Sequence, residues 1–112
     1  MAAAKLMVMY PMPKDMAAFE RAYSAEHLPM AAPIFEAAGA TKVVLTKILG
    51  AATGTSAFHR IAEIHFPSTE SLQKCAASQA GRDALGHAHK ISNGGPPIIL
   101  SAEEEVVTFK GA

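Results

Sequence analysis

The sequence predicts an α+β fold, a ferredoxin-like βαββαβ sandwich in which helices cover one face of a four-stranded antiparallel sheet. Three observations support this fold class. An apolar β-type run near the start is followed by a long amphipathic helical stretch. Two further β-type runs lie close together in the middle, and a second helical stretch precedes a last apolar run. The predicted order is therefore strand, helix, strand, strand, helix, strand.

The first half of the chain is predicted to hold one strand and one bent helix. Lys5–Tyr10 is apolar on both faces, which is typical of a central strand covered on each side. Asp15 is placed to cap the first helix, because its side chain can accept a hydrogen bond from an early backbone amide. The helix is expected to run to about Leu28, where Pro29 biases the preceding residue away from helical torsions. A bent continuation follows.

Two alternating runs in the middle, Thr41–Leu49 and Phe58–Phe66, are predicted to be neighbouring antiparallel strands because a loop of small residues joins them. His59 and His65 share one face of the second run. Six residues separate them, or about 20 Å along a strand, so they cannot bind one metal ion within one subunit. His65 is the better candidate for contact with a ligand. A surface or edge position is expected for both histidines, and contact with a ligand is the alternative for His65.

The second half of the chain is predicted to hold one interrupted helix and one strand. Ser68 is placed to cap the helix, and Gly81 is expected to interrupt it. A loop rich in glycine and proline follows the helix. Ile98–Leu100 and Val106–Phe109 are then predicted to form the final strand.

Length and composition indicate a single domain, residues 1–112, that pairs with a second copy of itself. Half of the residues are hydrophobic (50%), but only 18% are charged, which is few for a free-standing surface. The sheet face away from the helices also needs cover, and a second copy of that sheet is the expected cover. We therefore predict a homodimer that forms through the sheet faces.

Charge and cysteine content exclude several classes of partner. Ten basic and ten acidic residues cancel and form no basic cluster, so neither nucleic acid nor an anionic membrane is expected to bind. No apolar run reaches transmembrane length, and prolines interrupt the first residues too early for a secretory signal. A cytoplasmic protein is expected. Cys75 is the only cysteine, which leaves no disulfide framework and no thiolate metal site.

One face of the first helix carries the leading candidate site. Steps of three and four residues place Met16, Phe19, Tyr23, His27 and Met30 on the same face. A neutral imidazole at His27 can accept a proton from a carbon acid or a phenol, and the Tyr23 phenol can stabilise a developing oxyanion. We therefore predict His27 and Tyr23 as catalytic residues. A packed structural histidine, bonded to a carbonyl at a helix end, is the alternative for His27.

The predicted ligand-binding residues surround the same space between helix and sheet. They are Tyr10 at the end of the first strand, Phe19 and Met30 on the helix, and His65 on the third strand. For Tyr10 the alternative is a core aromatic residue with its hydroxyl at the rim.

The late histidines are not expected to form a metal site. His87 and His89 lie two residues apart on a predicted helix, so they point about 200° away from each other. Asp83 and His87, at a spacing of four, are expected to be an ordinary surface pair. Glycine-rich phosphate loops and serine nucleophile motifs are absent from the sequence. No metal and no cofactor is therefore predicted.

A set of residues spread from about Lys5 to about Glu105 matches the pattern of a known family. The set comprises Tyr10-Pro11, Asp15, Phe19-Glu20, Tyr23, His27-x-Pro29-Met30, Gly54, Ile61-Ala62, Phe66, Ser68 and Ser78-x-x-Gly81. In this order the residues resemble the EthD-like family of the dimeric α+β barrel superfamily. The most specific part is the string F-x-x-x-Y-x-x-x-H-x-P-M.

The resemblance implies a homodimer whose two sheets face each other, with a small pocket between each sheet and its helices and with His27 at that pocket. Family members include proteins encoded beside the monooxygenases of ethyl tert-butyl ether degradation. Relatives include muconolactone isomerases and cofactor-independent monooxygenases. One position departs from the pattern: where the family usually carries Ala-Asp late in the second helix, this chain has Gly86-His87, followed by His89.

Three functions follow from the sequence. The first is an EthD-like protein of catabolism or secondary metabolism that binds a small, largely apolar organic molecule. The second is a cofactor-independent isomerase, lyase or monooxygenase that uses His27 as general base. The third is a dimerisation module without a ligand. Fold alone does not choose among them.

Overall fold

The computed structural model describes residues 3–111, so residues 1, 2 and 112 at the ends of the predicted domain lie outside the described residues. Within this range four strands form one antiparallel sheet. They are β1 (Ala3–Pro11), β2 (Lys42–Lys47), β3 (Phe58–Phe66) and β4 (Ile98–Glu104), in the spatial order β2-β3-β1-β4. β1 pairs with both β3 and β4 and is central, as its two apolar faces predict. The predicted ferredoxin-like fold is confirmed.

Helices connect β1 to β2 and β3 to β4, so each helical stretch joins a central strand to an outer one. They are α1 (Met16–Ala22), a π-helical turn (Tyr23–His27), α2 (Leu28–Ala37), α3 (Thr69–Ala77) and α4 (Gln79–Ile91). Asp15 caps α1, as predicted, by accepting from the amide of Ala18 at 3.0 Å. Ser68 caps α3 in the same way through the amide of Ser71. Between residues 3 and 111, no helix combines the length and the apolar character that crossing a bilayer requires.

The first helical stretch does not break at Leu28, so that prediction was wrong. Leu28 has φ −61° and ψ −45°, and its amide donates to the carbonyl of Tyr23 five residues earlier. This bond closes a π-helical turn, which holds one residue more than an α-helical turn. Pro29 therefore falls in the first turn of α2, where its missing N–H costs little. The helix then continues to Ala37.

The hydrophobic core lies between the helices and one face of the sheet. From β1 it takes Ala4, Leu6, Val8 and Tyr10, none of them more than 3% exposed. The helices contribute Phe19, Tyr23, Ala31, Phe35, Leu72, Cys75, Ala84, Ala88 and Ile91. Full burial of a large apolar side chain stabilises a protein by about 1.5–3 kcal/mol. This packing fixes the helices on the sheet.

The alternate side chains of the sheet form its other face, which we call the open face. Its members include Lys5, Met7, Met9, Lys42, Val44, Thr46, Ile61, Glu63, His65, Ile98, Leu100 and Ala102. Ile98 is 43% exposed and Leu100 is 46% exposed. Lys5 and Glu63 form an ion pair on this face. The open face thus mixes exposed apolar side chains with a few paired charges.

A β-bulge reverses the expected orientation of His59. Pro11 pairs with Phe58 and Tyr10 pairs with Arg60, so one extra residue is inserted in β3 at His59. The bulge turns His59 toward the helices, where the residue is 4% exposed and its ring lies 5.8 Å from that of Phe19. The prediction of a surface or edge position on the same face as His65 was therefore wrong for His59.

The break in the second helical stretch falls at Ser78 and not at Gly81. Ser78 has extended backbone torsions, and its hydroxyl donates to the carbonyl of Cys75 at 2.6 Å while it accepts from the amide of Gly81 at 3.0 Å. Gly81 lies in the first turn of α4. A Cβ there would meet the carbonyl oxygen of Cys75 at 2.0 Å, so the close approach of two backbone segments requires glycine.

The last strand also differs from its prediction. β4 is continuous from Ile98 to Glu104 and pairs with β1 along its length, ending where Glu104 meets Ala3. Val106–Phe109 have no strand beside them to pair with among the described residues and lie outside the sheet. Val106 is 71% exposed and Phe109 is 75% exposed.

Gly81→Ala is expected to lower the free energy of unfolding by about 1–3 kcal/mol, because the new methyl group overlaps the Cys75 carbonyl. Gly86→Ala is the matched control in the same helix, since a Cβ at residue 86 meets nothing within 4 Å. It is expected to raise the free energy of unfolding by about 1 kcal/mol through helix propensity. Urea unfolding measures both, and equal effects would contradict the close approach at Gly81.

Candidate functional site

The π-helical turn positions two of the predicted site residues. Tyr23 begins the turn and His27 ends it, and both side chains are buried against the sheet. Their rings lie 6.2 Å apart and are within 20° of parallel. Such turns insert one residue into a helix and re-aim the side chains beyond it, which is why they recur at functional sites. Tyr23 and His27 are thus brought together as predicted.

His27 is paired with a residue that the sequence interpretation placed at the surface, His87 of α4. The Nδ1 atoms of the two rings are 2.9 Å apart, and the ring planes differ by 6°. The predicted surface pair of Asp83 and His87 is wrong, because Asp83 instead accepts a hydrogen bond from Gln79 at 2.8 Å. Burial, and secondarily the electrostatic effect of the neighbouring His87 ring, lower the pKa of His27 to about 4.

The bond between the two Nδ1 atoms fixes opposite tautomers for the pair. One ring must donate its Nδ1 proton and the other must accept, so in a neutral pair the donor ring has a bare Nε2 and the acceptor ring has a protonated Nε2. Because the pKa of His27 is about 4, its imidazole is neutral at neutral pH.

Two buried tyrosines adjoin the histidine pair. The Tyr10 ring lies 5.5 Å from that of Tyr23 and 6.5 Å from that of His27, in edge-to-face arrangements. Phe19 stacks on Tyr23 with ring centroids 5.5 Å apart. Neither tyrosine hydroxyl has a hydrogen-bond partner among the described residues. Burial raises the pKa of Tyr23 to about 12 and raises that of Tyr10 as well, so both phenols stay protonated.

A narrow cleft opens beside His27 between the sheet and the helices. Its cavity volume is small, about 30 Å³. Its walls are apolar except at Tyr10 and His27. The lining residues are Val8, Tyr10, His27, Leu28, Ala31, Ala32, Phe35, Val43, Leu45, Ala62, Ile64, Ala84, Leu85 and Ala88. Val43 and Leu45 are 37% and 42% exposed, which places the mouth at the edge strand β2.

A charged network lies on the other side of Tyr23. The Glu20 carboxylate accepts two hydrogen bonds from Arg60, at 3.1 Å and 2.7 Å, and lies 3.1 Å from Nε2 of His59. The Arg60 guanidinium stands 5.1 Å above the Tyr23 ring. The bonds from Arg60 are the main cause that lowers the pKa of Glu20 to about 2. Arg60 is thus neutralised by a carboxylate and is not free for an anionic ligand.

The structure gathers some of the predicted site residues and separates others. Tyr10, Tyr23 and His27 form one cluster, with Phe19 packed on the tyrosine rings. Met30 is half-buried against the core and does not line the cleft. His65 lies on the open face, with its Nδ1 3.0 Å from Oε2 of Glu104. His65 is thus on the opposite face of the sheet from this cleft and does not line it.

His87 is the residue of the cluster that sequence reasoning missed. Its partner is 60 residues away in the chain, so no local spacing connects them. The available signal was the departure from the family pattern at Gly86-His87. Within the described residues no three side chains of ligating type converge where a metal ion would sit.

Comparison with known proteins gives matches among solved structures. No protein-family model and no curated protein matches the sequence. An ethyl tert-butyl ether degradation (EthD) family protein from Bacillus halodurans C-125 is 27% identical, with a TM-score of 0.82 over 92% of this chain and 99% of that chain.

Two more distant structures share the fold. A dimeric ferredoxin-like protein of unknown function from Jannaschia sp. CCS1 is 14% identical, with a TM-score of 0.70 over 91% of this chain and 99% of that chain. SnoaB, a cofactor-independent oxygenase from Streptomyces nogalater, is 7% identical, with a TM-score of 0.65 over the full length of both chains, 100% of each. Together with the Bacillus halodurans protein, these structures confirm the predicted resemblance of this chain to the EthD-like family of the dimeric α+β barrel superfamily.

Proposed function

We propose that this protein binds a small, largely apolar organic molecule in the cleft beside His27, as an EthD-like protein of catabolism or secondary metabolism in the cytoplasm. The observation that carries the proposal is the cleft itself. It is an apolar slot between sheet and helices with two polar side chains, Tyr10 and His27, in its wall. Ligand sites in proteins have this composition, since apolar walls supply affinity and a few polar groups fix orientation.

The dimensions of the cleft restrict the ligand. Only about 30 Å³ admits the centre of a water molecule, so a ligand must be thin or must displace side chains at the mouth. Val43 and Leu45 are positioned for such a displacement. They lie on β2, an edge strand that pairs only with β3, and both side chains are partly exposed. We expect access to the cleft at this edge.

A cofactor-independent isomerase, lyase or monooxygenase is the second candidate function. The observation that favours it is a neutral imidazole, His27, in the wall of an apolar cleft. The same pKa of about 4 weighs against it, because a general base works best with a pKa near the operating pH. A base this weak suits hydrogen bonding to a ligand better than removal of its proton.

We also propose that the protein is a homodimer through the open face. Antiparallel sheets leave one face for water or for a partner, and this one exposes Val44 at the β2 edge and Ile98 and Leu100 at the β4 edge. The exposed apolar side chains of Val106–Phe109 follow directly after β4 and extend the apolar surface. The similar protein from Jannaschia is described as dimeric. A second copy would cover these side chains, as facing sheets do in closed dimers.

Toluene is expected to bind in the cleft and to shift the methyl NMR signals of Ala31, Ala84 and Ala88. Ala62→Leu adds three carbon atoms to the floor of the cleft and is expected to weaken binding about ten-fold or more. Ala77→Leu adds the same atoms to an exposed position on α3 and should leave binding unchanged. If toluene shifts no cleft methyl signal, or binds Ala62→Leu as well as the wild type, the protein is better described as a dimerisation module.

The free energy of unfolding is expected to fall as pH drops from 6.5 to about 4. Unfolded His27 binds a proton near its ordinary pKa of 6.5, whereas folded His27 does so only near pH 4, so the unfolded state gains protons first. His27→Gln should flatten the dependence of the free energy of unfolding on pH in this window. The stability that Glu20 contributes is lost only at pH values below its ordinary pKa of 4.5. Urea unfolding at several pH values measures the slope, and an unchanged slope in His27→Gln would refute the assignment.

The same variant separates the two candidate functions. A general-base role requires that His27→Gln lose any conversion of a lactone or phenolic compound that the wild type catalyses. Conversion that survives the substitution removes His27 from the mechanism.

Leu100→Lys is expected to convert a dimer into a monomer, because it buries a charge at the proposed contact of two open faces. Leu49→Lys is the matched control: Leu49 is 94% exposed, in the loop after β2. Sedimentation equilibrium measures the mass of each. A monomeric wild type, or a dimer that survives Leu100→Lys, would contradict the proposed interface.

A further inference from the structure

The two polar side chains of the cleft wall, Tyr10 and His27, adjoin two more, Tyr23 and His87, which lie behind the wall, and the hydrogen-bonding capacity of the four is not used up. Tyr10 and His27 have ring centroids 6.5 Å apart, Tyr23 and His27 are 6.2 Å apart, and His27 and His87 are 5.2 Å apart. We call Tyr10, Tyr23, His27 and His87 the polar cluster. All but His87 are at most 7% exposed. Groups this deeply buried normally have partners, so what the cluster leaves unpaired indicates what it is built to bind.

The two hydroxyl groups of the polar cluster can each donate a hydrogen bond to an acceptor on a ligand. Tyr10 is 0% exposed and Tyr23 is 2% exposed, and neither hydroxyl has a partner among residues 3–111. A buried hydroxyl without a hydrogen bond is destabilising, and the cost is relieved when an acceptor arrives. A phenol that remains protonated donates well to an uncharged carbonyl oxygen.

The histidine pair calls for both a donor and an acceptor. Because the two Nδ1 atoms bond to each other at 2.9 Å, the only nitrogens left for other contacts are one bare Nε2 and one protonated Nε2. A ligand hydroxyl satisfies either nitrogen, since it can donate to the bare one or accept from the protonated one.

The cluster offers an anion hydrogen-bond donors but no positive charge on His27, on the two phenols or on a free guanidinium. His27 is neutral, both phenols are protonated, and the guanidinium of Arg60 on the far side of Tyr23 is held by Glu20 through two hydrogen bonds. A carboxylate moved into this site would lose its hydration without gaining a positive partner, which is costly in an apolar cavity.

We propose that the cleft selects a neutral hydroxy-carbonyl compound, with its carbonyl oxygen at the hydroxyls of Tyr10 and Tyr23 and its hydroxyl at the pair formed by His27 and His87. The proposal rests on the proposed function and adds the chemical class of the ligand. The apolar walls receive a small, thin skeleton, so ketones, aldehydes and lactones that also carry a hydroxyl all belong to the class. Carboxylic acids do not.

Three probes of similar size test the class at neutral pH. The probes are meta-hydroxyacetophenone, which is neutral and carries both groups, meta-hydroxybenzoate, which is an anion, and meta-xylene, which carries neither group. Titrations are followed by the methyl NMR signals of Ala31, Ala84 and Ala88, which line the cleft. The ketone is expected to bind at least about ten-fold more tightly than either of the others, the effect of one or two buried hydrogen bonds.

Substitution of the tyrosines tests the assigned donors. The double variant Tyr10→Phe, Tyr23→Phe keeps both rings and removes both hydroxyls, so the ketone should bind it only as tightly as meta-xylene does. Affinity for meta-xylene should not change. Because the hydroxyls have no protein partner to lose, the melting temperature of the variant should not fall. Each single variant repeats the measurement if the double variant does not fold.

The outcomes separate this inference from the proposed function on which it rests. If meta-xylene shifts the cleft signals but the ketone binds no more tightly, the cleft is a site for apolar molecules and the hydroxy-carbonyl class is wrong. Tightest binding by the benzoate, or an unchanged preference in the tyrosine variants, also overturns the class. If no probe shifts any cleft signal, the proposed function itself fails.

Discussion

The site depends on one extra residue in a helix. The hydrogen bond from the Leu28 amide to the Tyr23 carbonyl spans five residues instead of four, and the widened turn lets the helical path pass Pro29 without a break. The same turn directs His27 toward α4 and keeps it beside Tyr23. Without the inserted residue, the proline would fall deeper in a regular helix. The imidazole would also be rotated away from its partner by about 100°, the angle between successive residues of an α-helix. Backbone tolerance and site geometry therefore have the same cause.

The fold was readable from the sequence because its signals are local. The alternation of Phe58–Phe66, the apolar run at Lys5–Tyr10 and the capping serine and aspartate each act within a few residues, so one chain suffices to detect them. Two of the errors occur where the chain holds one residue more than a regular element. The bulge reverses the face of His59, the π-helical turn carries the helix past Pro29, and no composition marks either insertion.

The cluster around His27 was only half predictable for a related reason. Tyr23 and His27 share a helix, so their spacing brings them together, and Tyr10 follows from the strand that faces this helix. His87 depends on how α4 crosses the first helical stretch, which is a property of the packed structure. Alternation along β3 predicts which residues share a face with His65, but it does not predict which of the two faces meets the helices. The pairing of β3 with β1 decides that, and it places His65 on the open face.

The pairing of two identical rings has a consequence for how a bound molecule is oriented. In a pair of imidazole and carboxylate the direction of the hydrogen bond is set, because only the ring can give a proton. Here the Nδ1 proton can belong to the ring of His27 or to that of His87. Exchange between these two neutral arrangements moves that proton across 2.9 Å and also moves a proton from one outer Nε2 to the other, a transfer that a bound hydroxyl group or water can carry. The bound molecule, and not the protein, would then decide which Nε2 donates a hydrogen bond and which accepts one. A pocket with such a pair can therefore bind either a donor or an acceptor at the same position without moving a single heavy atom.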